Sequence, residues 1–242
     1  MKKITFILFI LISFNSFSVE ALFNKANDLY SQENYTDAIS IYDSILTLGL
    51  ESSELYYNLG NCHYKQQNWS NAIWHYEKSL KLHSNNKTLK NLELAKLKII
   101  DNIELIPELF YKIWWRYFIT IFSTKIWQFL AILSVWTILI FQLTSQFKES
   151  KKGKNLAFLS FIALTLFFVT HSSYNNNYEK KEAIIFSSTI IVNSAPTTNS
   201  SDLFSLHSGS KVLIIDNIGD WINIRIANGN EGWIKQTEVK EL

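Results

Sequence analysis

The chain has 242 residues, a net charge of +2 at neutral pH and a hydrophobic content of 48%. A charge so close to balance does not indicate a nucleic-acid-binding protein, and the length allows one large domain or two small ones. The single cysteine, Cys62, excludes an intramolecular disulfide and a metal site built from several thiolates. No catalytic constellation is recognisable in the sequence, so we expect neither enzymatic activity nor a bound cofactor or metal.

The first 18 residues are typical of a secretory signal peptide. A lysine pair precedes the apolar run 4–12, and Ser16 and Ser18 occupy positions −3 and −1 of a cleavage site after Ser18. An uncleaved anchor and a short buried helix are the alternatives. Both exported interpretations place the residues that follow outside the cytoplasm.

Residues 20–100 contain an internal repeat with a period of 34 residues. Ala38 matches Ala72, and Tyr42 matches Tyr76. This period is typical of tetratricopeptide (TPR) repeats, in which each unit is a pair of antiparallel helices. Two units leave an apolar face open, so a capping helix is expected over 88–100. The other matched pairs are Ala26 and Gly60, Asn27 and Asn61, Asn34 and Asn68, Tyr35 and Trp69, Ile39 and Ile73, and Leu46 and Leu80.

The concave side of such a superhelix is lined by the first helix of each unit, and we call it the helix-A face. Spacings of three and four residues place its predicted members on one side of each helix. We expect this face to bind a peptide or a partner helix, although the groove is short and a solvated surface is an equal alternative. The predicted members are Phe23, Asn27, Tyr30, Tyr57, Asn61, Tyr64, Lys65, Asn91 and Lys98.

Cys62 and His63 fall at repeat positions that favour packing residues. Core packing is therefore predicted for both, and a redox function of Cys62 is the minor alternative. His75 and His83 lie on another helix and at its end, without the cysteine or carboxylate grouping that would indicate zinc.

Two apolar tracts, 126–143 and 155–174, indicate a transmembrane hairpin. The first has 18 residues and reaches about 27 Å at about 1.5 Å per residue, close to a bilayer core of about 30 Å. The second is weaker, because its apolar part 156–170 has only 15 residues, and a single buried helix is the alternative. The lysine-rich loop 144–154 is typical of a cytoplasmic turn.

The segment 104–125 mixes aromatic and cationic side chains, among them Trp114, Trp115 and Arg116. Amphipathic rings settle in the headgroup zone of a bilayer, so we predict an interfacial linker, with a helix packed on the repeat domain as the alternative. Its cations would lie on the outer side of the membrane, which argues against the orientation that the lysine-rich loop 144–154 indicates. The signal peptide therefore decides the predicted orientation.

Residues 175–242 change to a strand pattern and are predicted to form a small all-β barrel. The Asn228-Gly229 pair is a hairpin signal, because both residues accept a positive φ. The predicted strands are Ala183–Asn193, Lys211–Asp216, Trp221–Ala227 and Gly232–Lys235.

This C-terminal segment resembles a bacterial SH3-type domain. The resemblance rests on Asn-Ser-Ala-Pro at 193–196, on Gly-Asp-Trp at 219–221 and on Gly-Trp at 232–233. It implies that Trp221 and Trp233 bind a partner, with a place in the core or rim of the barrel as the alternative.

The order of all these segments resembles the BatE-like proteins of the bacterial aerotolerance (Bat) operon. The resemblance covers nearly the whole chain and includes Asn-Leu-Glu-Leu-Ala at 91–95 and Trp-Trp-Arg at 114–116. It implies an inner-membrane protein with periplasmic domains. Such a protein would work beside von Willebrand factor A-type Bat proteins and a MoxR-type AAA ATPase in oxygen or stress tolerance.

We therefore expect a multidomain membrane protein with three parts. These are an α-helical TPR solenoid over 19–103, a two-helix transmembrane hairpin and an all-β SH3-like barrel. The expected function is a non-enzymatic, membrane-anchored periplasmic scaffold for an aerotolerance or envelope-stress complex, in contact with lipid but not with nucleic acid. The alternative is a cell-envelope protein whose SH3-like domain binds peptidoglycan peptides. A periplasmic enzyme or thiol redox protein is a third class, and it depends on Cys62.

Overall fold

The chain folds into two compact units. One combines the chain up to Glu104 with Glu182–Leu242, and the other is Leu105–Lys181. The predicted signal peptide and most of the predicted cytoplasmic loop lie outside the described residues. The computed structural model describes residues 19–101, 103, 107–145, 152–176 and 181–242.

The first unit begins with two helix pairs and a fifth helix. Each helix from the second to the fifth begins after an Asn or Ser whose side-chain oxygen accepts the N–H three residues later, which satisfies one free donor of the first turn. The helices are α1 (19–31), α2 (Tyr35–Thr47), α3 (Ser53–Lys65), α4 (Trp69–Leu82) and α5 (Asn86–Lys96).

The turns inside the two helix pairs share an unusual backbone conformation. Glu33 has φ 63° and Gln67 has φ 60°, and both lie in the left-handed region although neither is glycine. Glu33 and Gln67 are 34 residues apart, like Asn34 and Asn68, which follow them and cap α2 and α4. The repeat therefore includes the turn geometry as well as the helix packing.

Small residues allow the helices of each pair to approach closely, as the repeat predicts. A Cβ atom added to Gly60 would lie 2.5 Å from the Tyr76 ring. Ala26, Ala38 and Ala72 are fully buried. A helix is present where the cap is predicted over 88–100. It begins earlier, at Asn86, because Asn85 caps its N-terminus, and it ends at Lys96.

The C-terminal strands form one seven-stranded sheet in the order β3-β2-β6-β5-β4-β1-β7. The order has two ends, so the sheet is not closed and the predicted barrel closure is not found. The predicted strand Ala183–Asn193 is divided into β1 and β2, and β3 and β7 are additional to the prediction. The strands are β1 (Lys181–Ile185), β2 (Thr189–Asn193), β3 (Asp202–His207), β4 (Lys211–Ile218), β5 (Trp221–Arg225), β6 (Glu231–Lys235) and β7 (Val239–Glu241).

The predicted hairpin between β5 and β6 is present, but its turn differs from the expected type. Gly229 has φ 86°, whereas Asn228 does not have a positive φ. The N–H of Gly229 donates to the carbonyl of Ile226 (2.9 Å), and the N–H of Ile226 donates to the carbonyl of Asn230 (3.0 Å). This is a longer loop with one left-handed glycine, and not a two-residue turn.

The sheet packs directly on α4 through apolar and aromatic contacts. Ile184 of β1 belongs to the same buried cluster as Ile73 and Trp74 of α4. The Trp74 indole N–H donates to the carbonyl of Glu241 (2.9 Å), and the Lys240 ammonium lies 3.6 Å from the centre of the Trp74 ring. The repeat region and the sheet therefore form one body, although the sequence indicates two domains.

A buried carboxylate adds charge to this contact. Glu77 of α4 bonds to Lys211 of β4 through one oxygen and to Lys96 of α5 through the other, each at 2.9 Å. Lys211 also reaches Glu182 of β1 at 3.0 Å. Burial opposes ionisation of Glu77, but Lys211 and Lys96 hold the pKa of its carboxyl below the usual value.

The second unit consists of three helices, α6 (Phe110–Thr120), α7 (Thr124–Ser145) and α8 (Lys152–Tyr174). By length and composition, 21 residues of α7 and 20 of α8 suffice to cross a membrane, and only 11% of each stretch is buried. The two helices pair, and the Thr124 and Ser173 hydroxyls lie 3.0 Å apart in a buried contact. The predicted interfacial linker 104–125 contains α6 within it.

We expect Glu77→Gln to lower the free energy of unfolding by about 1.5–3 kcal/mol, because two lysines lose their charged acceptor in a buried contact. Glu231→Gln is the matched control, since its pair with Arg225 is exposed and worth at most about 1 kcal/mol. Urea unfolding of the full chain in detergent, followed by tryptophan fluorescence, measures both. An equal effect of the two substitutions would contradict the assignment.

Candidate functional site

A ladder of polar side chains connects the first helices of the repeats. The Asn27 carbonyl oxygen accepts hydrogen bonds from the Tyr42 hydroxyl (2.5 Å) and from the Asn58 amide (3.0 Å). One repeat further, the Asn61 carbonyl accepts from Tyr76 and from Asn91, both at 2.8 Å. We call these six residues the polar ladder: Asn27, Tyr42, Asn58, Asn61, Tyr76 and Asn91.

The ladder includes three predicted members of the helix-A face, Asn27, Asn61 and Asn91, and a fourth member, Tyr57, contacts it through Asn91. The Tyr57 hydroxyl accepts from the Asn91 amide at 3.3 Å. All four are half-buried. The side-chain oxygens of Asn27, Asn61 and Tyr57 and the amide nitrogen of Asn91 already form hydrogen bonds within the fold, so only the remaining atoms are available to a ligand.

The other aromatic members pack inside their repeats. The Phe23 ring lies 5.7 Å from that of Tyr42, and the Tyr30 ring 5.4 Å from that of Tyr35. Tyr64 contacts Trp69 edge to face at 5.2 Å. The rings of Phe23, Tyr30 and Tyr64 are half-buried, so each exposes only part of its surface to solvent.

The two cationic members, Lys65 and Lys98, are exposed. Among the described residues neither forms an ion pair, so both ammonium groups face solvent. They give the helix-A face positive charge at the ends of the first helices of the second repeat and of the cap.

Cys62 is fully buried in the core of the first repeat pair, as the packing prediction requires. Burial raises the pKa of its thiol to about 12. The reactive thiolate is therefore scarce at neutral pH, and the geometry gives no support to a redox function.

The half-buried His63 of α3 and the buried His75 of α4 form a stacked pair. Their ring centres are 5.1 Å apart and the planes differ by 10°. The Nδ1 atom of each is buried and has no hydrogen-bond partner among the described residues. Parallel rings keep their in-plane lone pairs in separate planes, so the two cannot share a metal ion, and packing is the function that the geometry supports.

Trp221 and Trp233 lie on the same face of the sheet. Trp221 pairs with Lys235, and Trp233 pairs with Asn223, the second residue after Trp221. The neighbouring Ile222 and Ile234 are buried on the opposite face, whereas both tryptophans are half-buried. Asn223 is next to both tryptophans on this face, and its buried side-chain oxygen has no hydrogen-bond partner in the described part of the chain. We call Trp221, Asn223 and Trp233 the tryptophan face.

Sequence reasoning missed a second junction, centred on Asp101. Its carboxylate accepts from the His207 backbone N–H (2.6 Å) and the Ser210 hydroxyl (2.5 Å), and it contacts His207 Nδ1 at 2.7 Å. Burial raises the pKa of Asp101, but these hydrogen bonds outweigh it and hold the pKa below the usual value. Both Ser210 and His207 bond to the same carboxylate, so this is a structural junction between the segment after α5 and the β3–β4 turn.

Asn58 matches Asn24 at the 34-residue period, a signal that could have pointed to it, whereas Asp101 carries no periodic signal. Asn58 lies one helical turn before Asn61, which places it towards the helix-A face only once α3 is known to pack beside α1. Asp101 lies outside the repeat, and its partners are more than 100 residues away in the sequence.

The comparisons with known proteins agree with the repeat. Residues 53–86, which run from the start of α3 to the start of α5, match the tetratricopeptide repeat model. They are a TPR repeat. Comparison with curated proteins gives no match. TPR repeats indicate a protein–protein interaction scaffold.

A solved structure with similarity to the chain is the TPR2AB-domain:pHSP90-complex of yeast Sti1. The alignment covers 66% of this chain with 17% sequence identity and a TM-score of 0.31. The chain spans 64% of the length of that structure.

We expect Asn61→Ala to destabilise the repeat region by about 1–3 kcal/mol, because the buried Tyr76 hydroxyl loses its acceptor. The double variant Asn61→Ala/Tyr76→Phe removes both partners and should recover part of this loss. Lys65→Ala is the control and should change stability by at most about 0.5 kcal/mol. Urea unfolding midpoints decide between this and a purely ligand-directed role of Asn61.

We expect the first unit to lose stability as the pH falls from about 6.5 to about 4. Burial lowers the pKa of His63 to about 4 and that of His75 well below 6.5, so the unfolded chain binds protons first. Each histidine contributes a slope of at most about 1.4 kcal/mol per pH unit. The carboxyls of Glu77 and Asp101 have lowered pKa values, so their contribution is complete above the usual carboxyl pKa and is lost as the pH falls from there towards their own pKa values.

His75→Asn, which gains no proton in this pH range, should flatten the slope, and the exposed His83→Gln should not. Unfolding midpoints at pH 7.5, 6, 5 and 4 measure the slope. Parallel curves for the His75→Asn variant and the wild type would show that the stacked pair does not govern acid stability.

Proposed function

We propose that the chain is a membrane-anchored scaffold of the BatE type, with the repeat region and the sheet in the periplasm and the hairpin in the bacterial inner membrane. One observation carries the proposal: a TPR repeat shares a chain with two long apolar helices whose surface is mostly exposed. A helix that is apolar all round and exposed requires an apolar solvent. A module for partner binding is thereby fixed to a membrane.

The helix-A face is the proposed partner site. The amide nitrogens of Asn27 and Asn61 donate no hydrogen bond among the described residues, while their carbonyl oxygens are held by the ladder. Fixed amide donors suit the backbone carbonyls of an extended segment or the end of a helix. Lys65 and Lys98 favour a partner segment that carries acidic side chains.

The packing of α4 on the sheet supports a rigid scaffold. Glu77 and Trp74 connect the second repeat to strands β4 and β7. A partner on the helix-A face and another on the sheet would therefore be held in a fixed arrangement. We propose that the partners are membrane proteins with von Willebrand factor A domains and, through them, a MoxR-type AAA ATPase, in oxygen or envelope-stress tolerance.

The tryptophan face favours a second candidate function, a cell-envelope protein that binds peptidoglycan peptides through an SH3-like domain. Trp221 and Trp233 supply adjacent half-buried aromatic surfaces on one side of the sheet. The unpartnered Asn223 oxygen is an acceptor for an amide N–H of a bound peptide. Aromatic rings beside a fixed polar group are typical of ligand sites.

Site-specific cross-linking in native membranes tests both candidates. A photoreactive phenylalanine analogue replaces Lys65 on the helix-A face or Trp221 on the tryptophan face of the full chain. The exposed Ser40 of α2, which belongs to neither surface, is the matched control position. Adducts are identified by mass spectrometry.

We expect position 65 to capture a membrane protein with a von Willebrand factor A domain and position 40 not to capture it. Capture of wall peptides at position 221, without a protein adduct at position 65, would favour the envelope-binding function. Equal adducts at positions 65 and 40 would show that the helix-A face has no selective partner.

A further inference from the structure

The helix α6, in the segment predicted to be a linker, has three stripes of different chemistry. At 100° per residue, Phe110, Trp114, Tyr117 and Ile121 fall within an arc of about 60°. Phe110, Trp114 and Tyr117 are 71%, 74% and 75% exposed, among the more exposed aromatic side chains of the described residues. Such a continuous exposed aromatic surface needs a partner that removes it from water.

A second stripe of α6 attaches it to the hairpin. The Trp115 ring lies 5.6 Å from that of Phe168 in α8, and the buried Ile119 belongs to one cluster with Trp127 and Val169. The Trp127 indole N–H donates to the Ile119 carbonyl at 3.0 Å. Helix α6 is therefore a packed element of the second unit, at the end where α7 begins and α8 finishes.

The third stripe is polar and consists of Lys112, Arg116 and Thr120. Arg116 pairs with Glu108 at 2.7 Å, and all three side chains are exposed. At 100° per residue, the centre of the polar stripe lies about 130° from that of the aromatic stripe and about 80° from that of the stripe packed on the hairpin. A helix surrounded by water would leave the aromatic stripe exposed to water. A helix surrounded by lipid tails would place the charged side chains of the polar stripe in an apolar solvent.

We propose that α6 lies in the plane of the bilayer surface, with Phe110, Trp114 and Tyr117 in the lipid and Lys112 and Arg116 directed at the headgroups and water. This rests on the proposed membrane anchoring and adds a third membrane element to it. The occupant of the aromatic stripe is lipid, because α6 packs on α7 and α8, whose own apolar side chains are exposed as well. Tryptophan and tyrosine rings beside cations match the chemistry of the interface.

The orientation follows from where α6 packs. Its contacts are with Trp127, near the start of α7, and with Phe168 and Val169, near the end of α8. In the proposed topology this end of the hairpin is periplasmic. Helix α6 therefore fixes the depth of the hairpin in the outer leaflet of the inner membrane.

Spin labelling of the full chain in vesicles of phosphatidylethanolamine and phosphatidylglycerol tests the proposal. Nitroxides are attached to Trp114→Cys and Tyr117→Cys in the aromatic stripe, and to Lys112→Cys and Thr120→Cys in the polar stripe. Ile132→Cys, exposed in the middle of α7, reports whether the hairpin is in the bilayer. The wild type, whose only cysteine is fully buried, is the background control.

We expect the ratio of collisions with oxygen to collisions with a water-soluble nickel chelate to be about threefold or more higher at 114 and 117 than at 112 and 120. Access of nickel at 114 and 117, with oxygen access at 132, would overturn the position of α6 and leave the hairpin in place. Access of neither reagent at 114 and 117 would mean that protein covers the stripe. Access of nickel at 132 would refute the membrane anchoring and, with it, this inference.

A second measurement avoids cysteine substitutions. The fluorescence contribution of Trp114 is the difference between the wild type and the Trp114→Phe variant. In vesicles with brominated lipid chains, this contribution should be strongly quenched. The fluorescence that Trp221→Phe removes should not be quenched, since Trp221 lies in the sheet of the first unit. Equal quenching of the two contributions would contradict the proposal.

Discussion

The architecture of the first unit depends on the buried carboxylate of Glu77. One oxygen holds Lys96 of the capping helix and the other holds Lys211 of the sheet, so a single side chain joins three parts of the fold. A buried charge is tolerated only where it is paired and hydrogen-bonded, and Glu77 satisfies this with two ammonium groups. Trp74, one turn earlier on the same helix, adds apolar area and a hydrogen bond to the last strand. Because of these contacts the sheet covers part of α4, and the proposed partner site lies on the helix-A face.

The polar ladder constrains what that surface can do. Asn27 and Asn61 occupy equivalent repeat positions, and each satisfies a buried tyrosine hydroxyl. The same residues fix the spacing of α1, α3 and α5, so a substitution there changes the scaffold before it changes a ligand contact. The side chains of Lys65 and Lys98, in contrast, form no ion pair among the described residues. In the proposed partner site the exposed cations and the amide nitrogens of Asn27 and Asn61 are therefore the groups available for binding, on a framework held by the carbonyl oxygens.

The second unit differs from the first, since much of its apolar surface is not covered by protein. Phe129, Trp136 and Leu164 are examples of side chains that lie more than half exposed on α7 and α8. Such a surface is stable only in an apolar solvent, and that is the physical basis for the proposed anchoring. Helix α6 packs at one end of the hairpin, where its polar stripe is proposed to face the headgroups and water.

The sequence by itself determined the local structure: the 34-residue period, the small residues at Gly60 and Ala72, the Asn caps of α2 and α4, and the two long apolar helices. These follow from spacing and residue type, which act over one or two turns of chain. Only the tertiary structure decided that Glu77 contacts Lys211 and that Asp101 contacts His207, in each case more than 100 residues further along the chain. The packing of the sheet on α4 was decided in the same way. The tertiary structure also decided that the sheet stays open and that Trp221 and Trp233 share a face, because strand order and register depend on pairings between distant segments. Long-range pairing of this kind leaves no periodic trace in a single sequence, and for that reason the two predicted domains could be recognised while their union could not.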